Sequence, residues 1–409
     1  METEEKIDDL AETRQLIEIW LSRGLSKKLQ EIVVAGGYDS EQQVITRAIQ
    51  NLYERTKFNQ DGHLVVKEQE YLKTGFITLS KNEINKAITF LDKNPTSNEL
   101  DYSERTKFYG NYNIGLINSF YNRLLPVKYA LLVLLKLHLE SQESWISFDD
   151  FKSKIKDASK YFVYKTNAII KNDEILKDIN LGFPKINVNQ LNKIILTEKQ
   201  IIELDKSMNH FIRKCVGAYV KNRDKNKNSH TMKGACFELG LMNVKMEYKN
   251  NEDDKKSKPI IYVSISDNGK NFVKKENPFL DKISKGIKPG LIFSKDEARF
   301  YLDKILPRFK FENEFVNLLI KKQKINHTND VKDLFQNEYS KWLEKNHPTV
   351  RKEIHEKLHE GEDMTRINSL VIMARLIELG IFKKDPNSRF GPYELTVEWK
   401  PKEKDLPKK

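Results

Sequence analysis

The chain has 409 residues, of which 39% are hydrophobic and 32% charged, a balance that predicts two to four folded domains and excludes an intrinsically disordered chain. Its formal net charge of +12, from 71 Lys and Arg against 59 Asp and Glu, permits a polyanionic partner such as nucleic acid but does not require one, because the two signs interleave. Two cysteines, Cys215 and Cys236, are too few for a disulfide framework or a four-thiolate zinc site.

The sequence carries no sign of a membrane or secretory segment. It begins METEEKIDDL, without the basic start and apolar run of a signal peptide. The longest aliphatic run, YALLVLL at 129–135, is too short to cross a bilayer. We therefore expect a cytoplasmic protein that does not enter a membrane.

The first predicted elements are a strand and two helices within residues 12–57. The strand is predicted at residues 15–22, where alternate side chains point to opposite faces. One of these faces carries Ile17, Ile19 and Leu21. Two stretches with helical spacing follow, separated by GGYDS at 36–40. The glycines end the first helix, and Asp39 or Ser40 caps the second.

Strand, helix, GGYDS and helix in this order resemble the ribbon-helix-helix family of dimeric DNA-binding proteins. A strand and two helices cannot bury a core alone, so the resemblance implies a homodimer through paired strands. It also implies that outward strand residues enter the major groove and that the second helix begins at a phosphate. The DNA-contacting candidates are then Arg14, Leu16, Glu18, Trp20 and Ser40. Leucine, glutamate and tryptophan offer little to base edges, so a ribbon that only dimerises stays an alternative.

The middle of the chain is predicted to be helical. Residues 58–118 form a connector with turn-rich breaks at NPTSNELD (94–101) and YGNYN (109–113). An amphipathic helix is predicted from Pro126. A long helix is predicted through TEKQIIELDKSMNHFIRKCVGAYVKNRDKNKN (197–228), with one apolar stripe. The members of this stripe are Ile201, Leu204, Met208, Phe211, Cys215 and Tyr219.

Two later stretches repeat one pattern. Each has a helix that ends in Glu-Leu-Gly and two apolar residues, at 238–242 and at 378–382. A polar hairpin tip and a strand that begins with tyrosine follow, YVSIS (262–266) and YELTV (393–397). The pattern resembles the end of a winged helix-turn-helix domain. It implies two such domains, 119–280 with an insertion before its last helix and 290–400, then a basic tail at 401–409. The expected fold class is mostly α with small β elements.

In the winged-helix family the helix before the wing enters the major groove, and the wing meets the backbone or the minor groove. In the second domain this helix is MTRINSLVIMARLIEL (364–379), with an expected buried stripe of Ile367, Leu370, Val371, Ala374 and Ile377. The resemblance implies that seven residues face DNA: Arg366, Asn368, Ser369 and Arg375 of the helix, and Lys383, Lys384 and Arg389 of the wing. The candidates of the first domain are His230, Lys233, Lys245, Lys249, Lys255, Lys256 and Lys258, beside the basic KNRDKNKN (221–228). For each lysine the alternative is a solvated hairpin tip, and winged helices also serve as protein–protein modules.

The stretch EIHEKLHEGE (353–362) contains His355, Glu356 and His359 in the spacing that binds zinc on a helix. Its neighbours are charged, and Glu378, the conceivable third ligand, belongs to the second Glu-Leu-Gly turn. We therefore expect an exposed helix, with a zinc metallohydrolase as a minor alternative. A Glu-x-Lys in MEYK (246–249) is a weak nuclease signal, and the chain has no Gly-rich phosphate loop.

The sequence thus predicts a dimeric double-stranded DNA-binding protein of the cytoplasm and nucleoid. By family resemblance it is a transcriptional regulator of archaeal type or a chromosome- or plasmid-associated protein. We expect no catalytic residues, no cofactor and no metal. The alternative is a protein–protein scaffold that uses the same modules without DNA.

Overall fold

The computed structural model describes residues 77–97, 115–117, 123–170, 181–184, 206–224, 227–247, 259–349, 362–385 and 390–399, with four short strands at 56–58, 64–66, 108–109 and 112–113 and single positions at 29, 30, 33, 40, 44, 45, 352 and 388. The chain forms two compact units, Met1–Tyr71 and Leu72–Lys409. The described residues are mostly helical, with several small sheets. This confirms the expected class of a mostly α chain with small β elements.

In the described part of the second unit the helices are α1 (Lys81–Lys93), α2 (Leu125–Ser141), α3 (Phe148–Ile170), the π-helical α4 (Ile212–Val216), α5 (Ala235–Glu238), α6 (Asp267–Val273), α7 (Pro278–Ser284), α8 (Lys295–Phe300), α9 (Lys310–Lys322), α10 (Thr328–Asn346) and α11 (Glu362–Glu378), with a second π-helical turn at Tyr301–Ile305 and 3-10 turns at Leu306–Arg308 and Val397–Trp399. In chain order the strands are β1 (Thr56–Phe58), β2 (Leu64–Val66), β3 (Phe108–Tyr109), β4 (Tyr112–Asn113), β5 (Ile146–Ser147), β6 (Ala218–Asp224), β7 (Lys227–Lys233), β8 (Met242–Glu247), β9 (Ile260–Ile265), β10 (Lys324–Ile325), β11 (Phe382–Lys384) and β12 (Tyr393–Leu395). Strands β1 and β2 belong to the first unit and pair antiparallel.

The first module comprises α2 to β9. Its elements are helix α2, strand β5, helix α3, the short helices α4 and α5 with the β6–β7 hairpin between them, and strands β8 and β9; its sheet has the order β5-β9-β8. Both pairings are antiparallel, with Val263 opposite Ile146 on one side and Val244 on the other. The sheet therefore closes one side of a three-helix core.

The second module comprises α9 to β12 and repeats this arrangement. Strand β12 lies between β10 and β11, again antiparallel to both, so the sheet order is β10-β12-β11. Its core is aromatic: the Phe311 ring lies 4.6 Å from Tyr339 and 5.3 Å from Phe335, centroid to centroid. Each such buried side chain contributes about 1.5–3 kcal/mol to stability.

Both Glu-Leu-Gly turns are confirmed as helix ends followed by strands. Gly240 and Gly380 adopt left-handed φ values of 71° and 69°. Strands β8 and β11 begin two residues later. Glycine suits the position because it has no Cβ to clash in this conformation.

The helix predicted from Pro126 is confirmed as α2, but its expected amphipathic character is wrong. Every residue from Leu125 to Leu135 is buried. The helix contacts α1, α3, α4 and α6, so it is surrounded on all sides, as helices that are apolar all round usually are. Helix α2 is therefore the central helix of the first module.

The predicted long helix through Tyr219 is wrong at its C-terminal end. Met208, Phe211 and Cys215 of the predicted stripe are buried. The helix ends at Val216, however, and Tyr219 lies in β6, which pairs with β7 over seven residues of each strand. The β6–β7 hairpin thus begins where the helix was expected to continue.

The longest described part of the connector, residues 77–97, packs on the first module. Ser80 and Glu83 form a capping box that starts α1. The buried face of α1 carries Ala87, Ile88 and Leu91, and its contact is α2.

Candidate nucleic-acid interface

The helix predicted to read DNA in the second module is α11, and it is largely buried. Asn368, Ser369 and Arg375 are all buried, Arg375 with 1% of its surface exposed. The expectation that these three project toward DNA is therefore wrong. Of the four helix candidates, only Arg366 is exposed.

The expected buried stripe of α11 is also wrong, because it lies mainly on the outer side. Ile367 is 40% exposed, and Leu370, Ala374 and Ile377 are partly exposed. The residues that enter the core are Val371, Ile372, Met373, Leu376 and Leu379. The helix thus presents one arginine and an apolar surface outward, which is poor for reading base edges.

Arg375 is buried because it pairs with a carboxylate. Its guanidinium forms a salt bridge with Glu312 of α9, and Tyr301 Oη donates to the same carboxylate at 3.4 Å. The other Glu312 oxygen accepts from the Ile117 N–H at 2.9 Å. Burial lowers the pKa of Arg375, but the Glu312 charge outweighs it and the net direction is upward. The arginine therefore stays charged and holds residues 115–117 against the second module.

Glu378 of the second Glu-Leu-Gly turn is also buried and has a structural partner. Its carboxylate accepts from the N–H groups of Leu124 and Leu125 at 2.7 and 3.0 Å, at the start of α2. Burial raises the pKa of Glu378 to about 7, against the lowering effect of nearby Arg123 and of these two hydrogen bonds. A residue considered as a third zinc ligand thus caps the central helix of the other module.

A second buried ion pair joins α2 to the segment between the modules. Lys128 Nζ lies 2.9 Å from Glu297 Oε1, and both side chains are buried. The ammonium also donates to the carbonyls of Phe272 and Lys275 at 2.6 and 2.8 Å. Asn277 donates to the Glu297 carboxylate at 3.1 Å. These contacts hold the segment between the modules against α2, since a buried charge is stable only with its partners in place.

The wing of the second module carries basic residues that share one carboxylate. Lys383 of β11 and Lys324 of β10 lie 3.5 and 3.4 Å from the Glu394 carboxylate of β12. These lysines lower the pKa of Glu394. Lys383 is exposed and Lys384 partly exposed, so both are accessible to a partner. Arg389 lies outside the described residues.

In the first module Lys245 already has close neighbours. Its ammonium lies 2.6 Å from Glu247 and 4.8 Å from the ring centre of Tyr262, over the ring face. Lys233 is exposed at the end of β7. Four further candidates lie outside the described residues: Lys249, Lys255, Lys256 and Lys258. Their expected contact with DNA stays a prediction.

The sequence prediction missed a basic hairpin in the first module. Strands β6 and β7 carry Lys221, Arg223, Lys227, His230 and Lys233 against the single acid Asp224. The sequence had marked 221–228 as basic and His230 as a candidate, but placed the former on a helix. Gly217 and Gly234, which bracket the hairpin, were the signal that could have revealed it.

In the first unit, the strand candidates Arg14, Leu16, Glu18 and Trp20 lie outside the described residues. Ser40 is exposed, and its carbonyl accepts from the Val44 N–H at 3.3 Å. Leu29, Gln30, Val33, Val44 and Ile45 are helical. The ribbon-helix-helix hypothesis therefore stays a prediction for this unit.

The zinc-like motif, His355, Glu356 and His359, also lies outside the described residues. Within the described part of the chain, no group of three or more His, Cys, Asp or Glu side chains is arranged to hold a metal ion. Among the same residues, no helix combines the length and the apolar character needed to span a membrane.

Comparison of the chain with protein-family models, with curated protein sequences and with solved structures gives no match.

Proposed function

We propose that the chain binds double-stranded DNA through two winged-helix modules behind an N-terminal ribbon-helix-helix dimerisation element. Its cellular role is then that of a transcriptional regulator or a chromosome- or plasmid-associated protein, as the family resemblances suggest. The proposal assigns the chain no catalytic step, cofactor or metal.

One observation carries the proposal. The second module has the order helix, strand, helix, helix, strand, strand. The first module has the same order when α4 and α5 are counted as one helix divided by the β6–β7 hairpin, and in both sheets the last strand lies between the other two. This is the order of the winged-helix family, where the third helix and the hairpin after it contact DNA. Two such modules in one chain, and four in a dimer, raise avidity even where each contact is weak.

Charge supports the same partner. The chain has a net charge of +12, and its exposed lysines include Lys233 and Lys383 beside the two third-helix positions. A protein that neutralises phosphates releases counterions, so its affinity must fall steeply as salt rises.

The test is fluorescence anisotropy of the full chain with a random-sequence DNA duplex, from about 50 to 300 mM salt. We expect micromolar or tighter binding at the lowest salt and a steep linear fall of log affinity with log salt. Absence of binding at the lowest salt would sink the proposal. Sedimentation of the free protein tests the dimer, which has twice the chain mass of 48.0 kDa.

A second candidate function is protein–protein contact, and the outer surface of α11 favours it. Ile367, Leu370, Ala374 and Ile377 form a stripe of exposed and partly exposed apolar residues, and such surfaces are more typical of protein contacts than of DNA contacts. A partner held there would bind with little dependence on salt. Ile367→Lys would abolish that binding and leave DNA affinity unchanged or slightly higher.

A further inference from the structure

The third helix of the first module is divided by an insertion, whereas that of the second module is continuous. Before the first Glu-Leu-Gly turn, the helix consists of two pieces, residues 206–216 and α5. The β6–β7 hairpin lies between these two pieces in the chain. Helix α11 stands uninterrupted before the second turn. The hairpin is therefore inserted within the helix that is proposed to face DNA in the first module.

The two halves of the divided helix stay packed together, so the insertion does not disturb the module. Helix α4 contacts α5, α2 and α3. The thiols of Cys215 and Cys236, one from each half, are buried and neighbour each other. Burial, reinforced by the neighbouring thiol, raises the pKa of Cys215.

Two glycines make this arrangement possible. Gly217 and Gly234 have φ values of 146° and 137°. A Cβ at Gly234 would overlap the Gly217 backbone, and a Cβ at Gly217 would overlap the Phe237 ring. The two strands thus start side by side with backbone against backbone, a close approach that only glycine permits.

The base of the hairpin is anchored in the core of the first module. Met232 is fully buried, and its partner Tyr219 packs against the same core. The pairing continues from there to Asp224 opposite Lys227. A strand of this length spans about 20 Å at roughly 3.4 Å per residue. A two-stranded ribbon of this size fits the major groove, which is about 12 Å wide.

The charge of this ribbon is strongly unbalanced. Beyond the anchored base it carries Lys221, Arg223 and Lys227 against Asp224. In the second wing, by contrast, one carboxylate lies near two lysines. Asparagine and serine residues between the basic positions, Asn222, Asn228 and Ser229, are common donors to phosphate.

We infer that the β6–β7 hairpin is the phosphate-contacting element of the first module and enters a groove of duplex DNA. The inference rests on the proposed function and adds to it the element that makes the contact. Lys221, Arg223 and Lys227 bind phosphates, and the anchored base sets the position of the ribbon relative to the module.

The experiment compares three full-length variants with the unaltered chain by fluorescence anisotropy on a random-sequence duplex. The test variant is Lys221→Ala/Arg223→Ala/Lys227→Ala. A second variant shortens the hairpin by joining Val220 to Thr231 through Asn-Gly, which favours a two-residue hairpin turn. The matched control is Lys86→Ala/Lys93→Ala/Lys304→Ala, which removes the same charge from exposed positions elsewhere. Thermal unfolding verifies that each variant is folded.

We expect the test variant to lose affinity about tenfold or more and its log–log salt slope to fall by about 2 to 3, since each phosphate contact contributes roughly 0.9. The shortened hairpin should behave in the same way, and the control should change the slope by less than about 1. If both hairpin variants match the control while the unaltered chain binds DNA, the inference is overturned and the proposed function stands. If the unaltered chain does not bind at the lowest salt, both fail.

Discussion

The two modules share one order of elements but use the third helix differently. In the second module, α11 is continuous and turns Arg375 and Glu378 inward, where they contact α9 and the start of α2. In the first module, the corresponding helix is divided by a hairpin whose strands carry Lys221, Arg223 and Lys227. The same position thus holds buried structural contacts in one module and an inserted basic hairpin in the other.

This difference shows why position in a fold does not fix the role of a residue. Polar and charged side chains on α11 look accessible in sequence, yet Arg375 and Glu378 are buried and bonded to other elements of the protein, α9 and the start of α2. Of the five apolar residues expected inside, Val371 is buried, whereas the other four are exposed or partly exposed. Within the proposed function, the second module then acts mainly as a frame and the first as the contact to DNA. Four predictions test this division.

The largest effect is expected from breaking the buried ion pair of the second module. Arg375→Ala leaves the Glu312 carboxylate buried without its charged partner, which costs about 3–5 kcal/mol of unfolding free energy. Urea denaturation measures it. Arg366→Ala is the control, because this exposed arginine lies on the same helix and surface substitutions usually change stability by about 0.5 kcal/mol or less. Equal losses from the two variants would contradict a structural role for Arg375.

The next largest effect is a loss of stability as pH rises, and it is caused by Glu378. Burial raises the pKa of Glu378 to about 7 from the ordinary value of 4.5, so the folded chain binds this proton more tightly than the unfolded chain. Stability from this group is therefore full below about pH 4.5 and is lost as pH rises through 7. The loss between pH 5 and pH 8 is about 2–3 kcal/mol at 1.36 kcal/mol per pKa unit. Glu378→Gln should remove this part of the pH dependence in denaturation curves. An unchanged curve would mean that Glu378 does not titrate in this range.

In the first module, His138 gives stability the opposite dependence on pH. His138 of α2 is buried, its Nδ1 lies 2.7 Å from the Glu143 carbonyl, and burial lowers the pKa of His138 to about 4 from 6.5. The unfolded chain then binds the proton more tightly, so stability is present above about pH 6.5 and is lost as pH falls toward 4. We expect about 2 kcal/mol less stability at pH 5 than at pH 7 from this group.

The measurement is thermal or urea unfolding of His138→Leu beside the unaltered chain at both pH values. The variant should not lose this stability as pH falls, and it should still lose the stability that depends on Glu378 as pH rises. If the acid loss persists in full, another group carries it and His138 does not.

The sequence predicted those parts of the fold that depend on local chemistry. Gly240 and Gly380 end helices because the left-handed conformation favours glycine, whatever surrounds them. Helix α2 was located by its apolar run and proline. These signals lie within a few residues of the feature they specify, so one sequence is sufficient to find them.

Features that depend on distant residues were not predictable in the same way. Helix α11 has apolar residues on two sides, Ile367 to Ile377 and Ile372 to Leu379, and helical spacing alone does not show which side meets the core. Arg375 is buried because Glu312 lies opposite, 63 residues earlier. The hairpin was hidden because an apolar stripe continued in register to Tyr219, beyond the glycine that ends the helix.

The smallest effect tests whether the second wing contacts DNA at all. Glu394→Gln removes the carboxylate that lies near Lys324 and Lys383 and leaves both ammonium groups available to phosphate. If the wing contacts DNA, affinity at about 50 mM salt should rise about two- to fivefold, or roughly 0.5–1 kcal/mol, as for a single exposed charge. Glu314→Gln, an exposed position on α9, is the control for net charge. Anisotropy that shows the same small gain for both variants would mean that the second wing does not touch DNA, and would leave the inserted hairpin of the first module as the main contact.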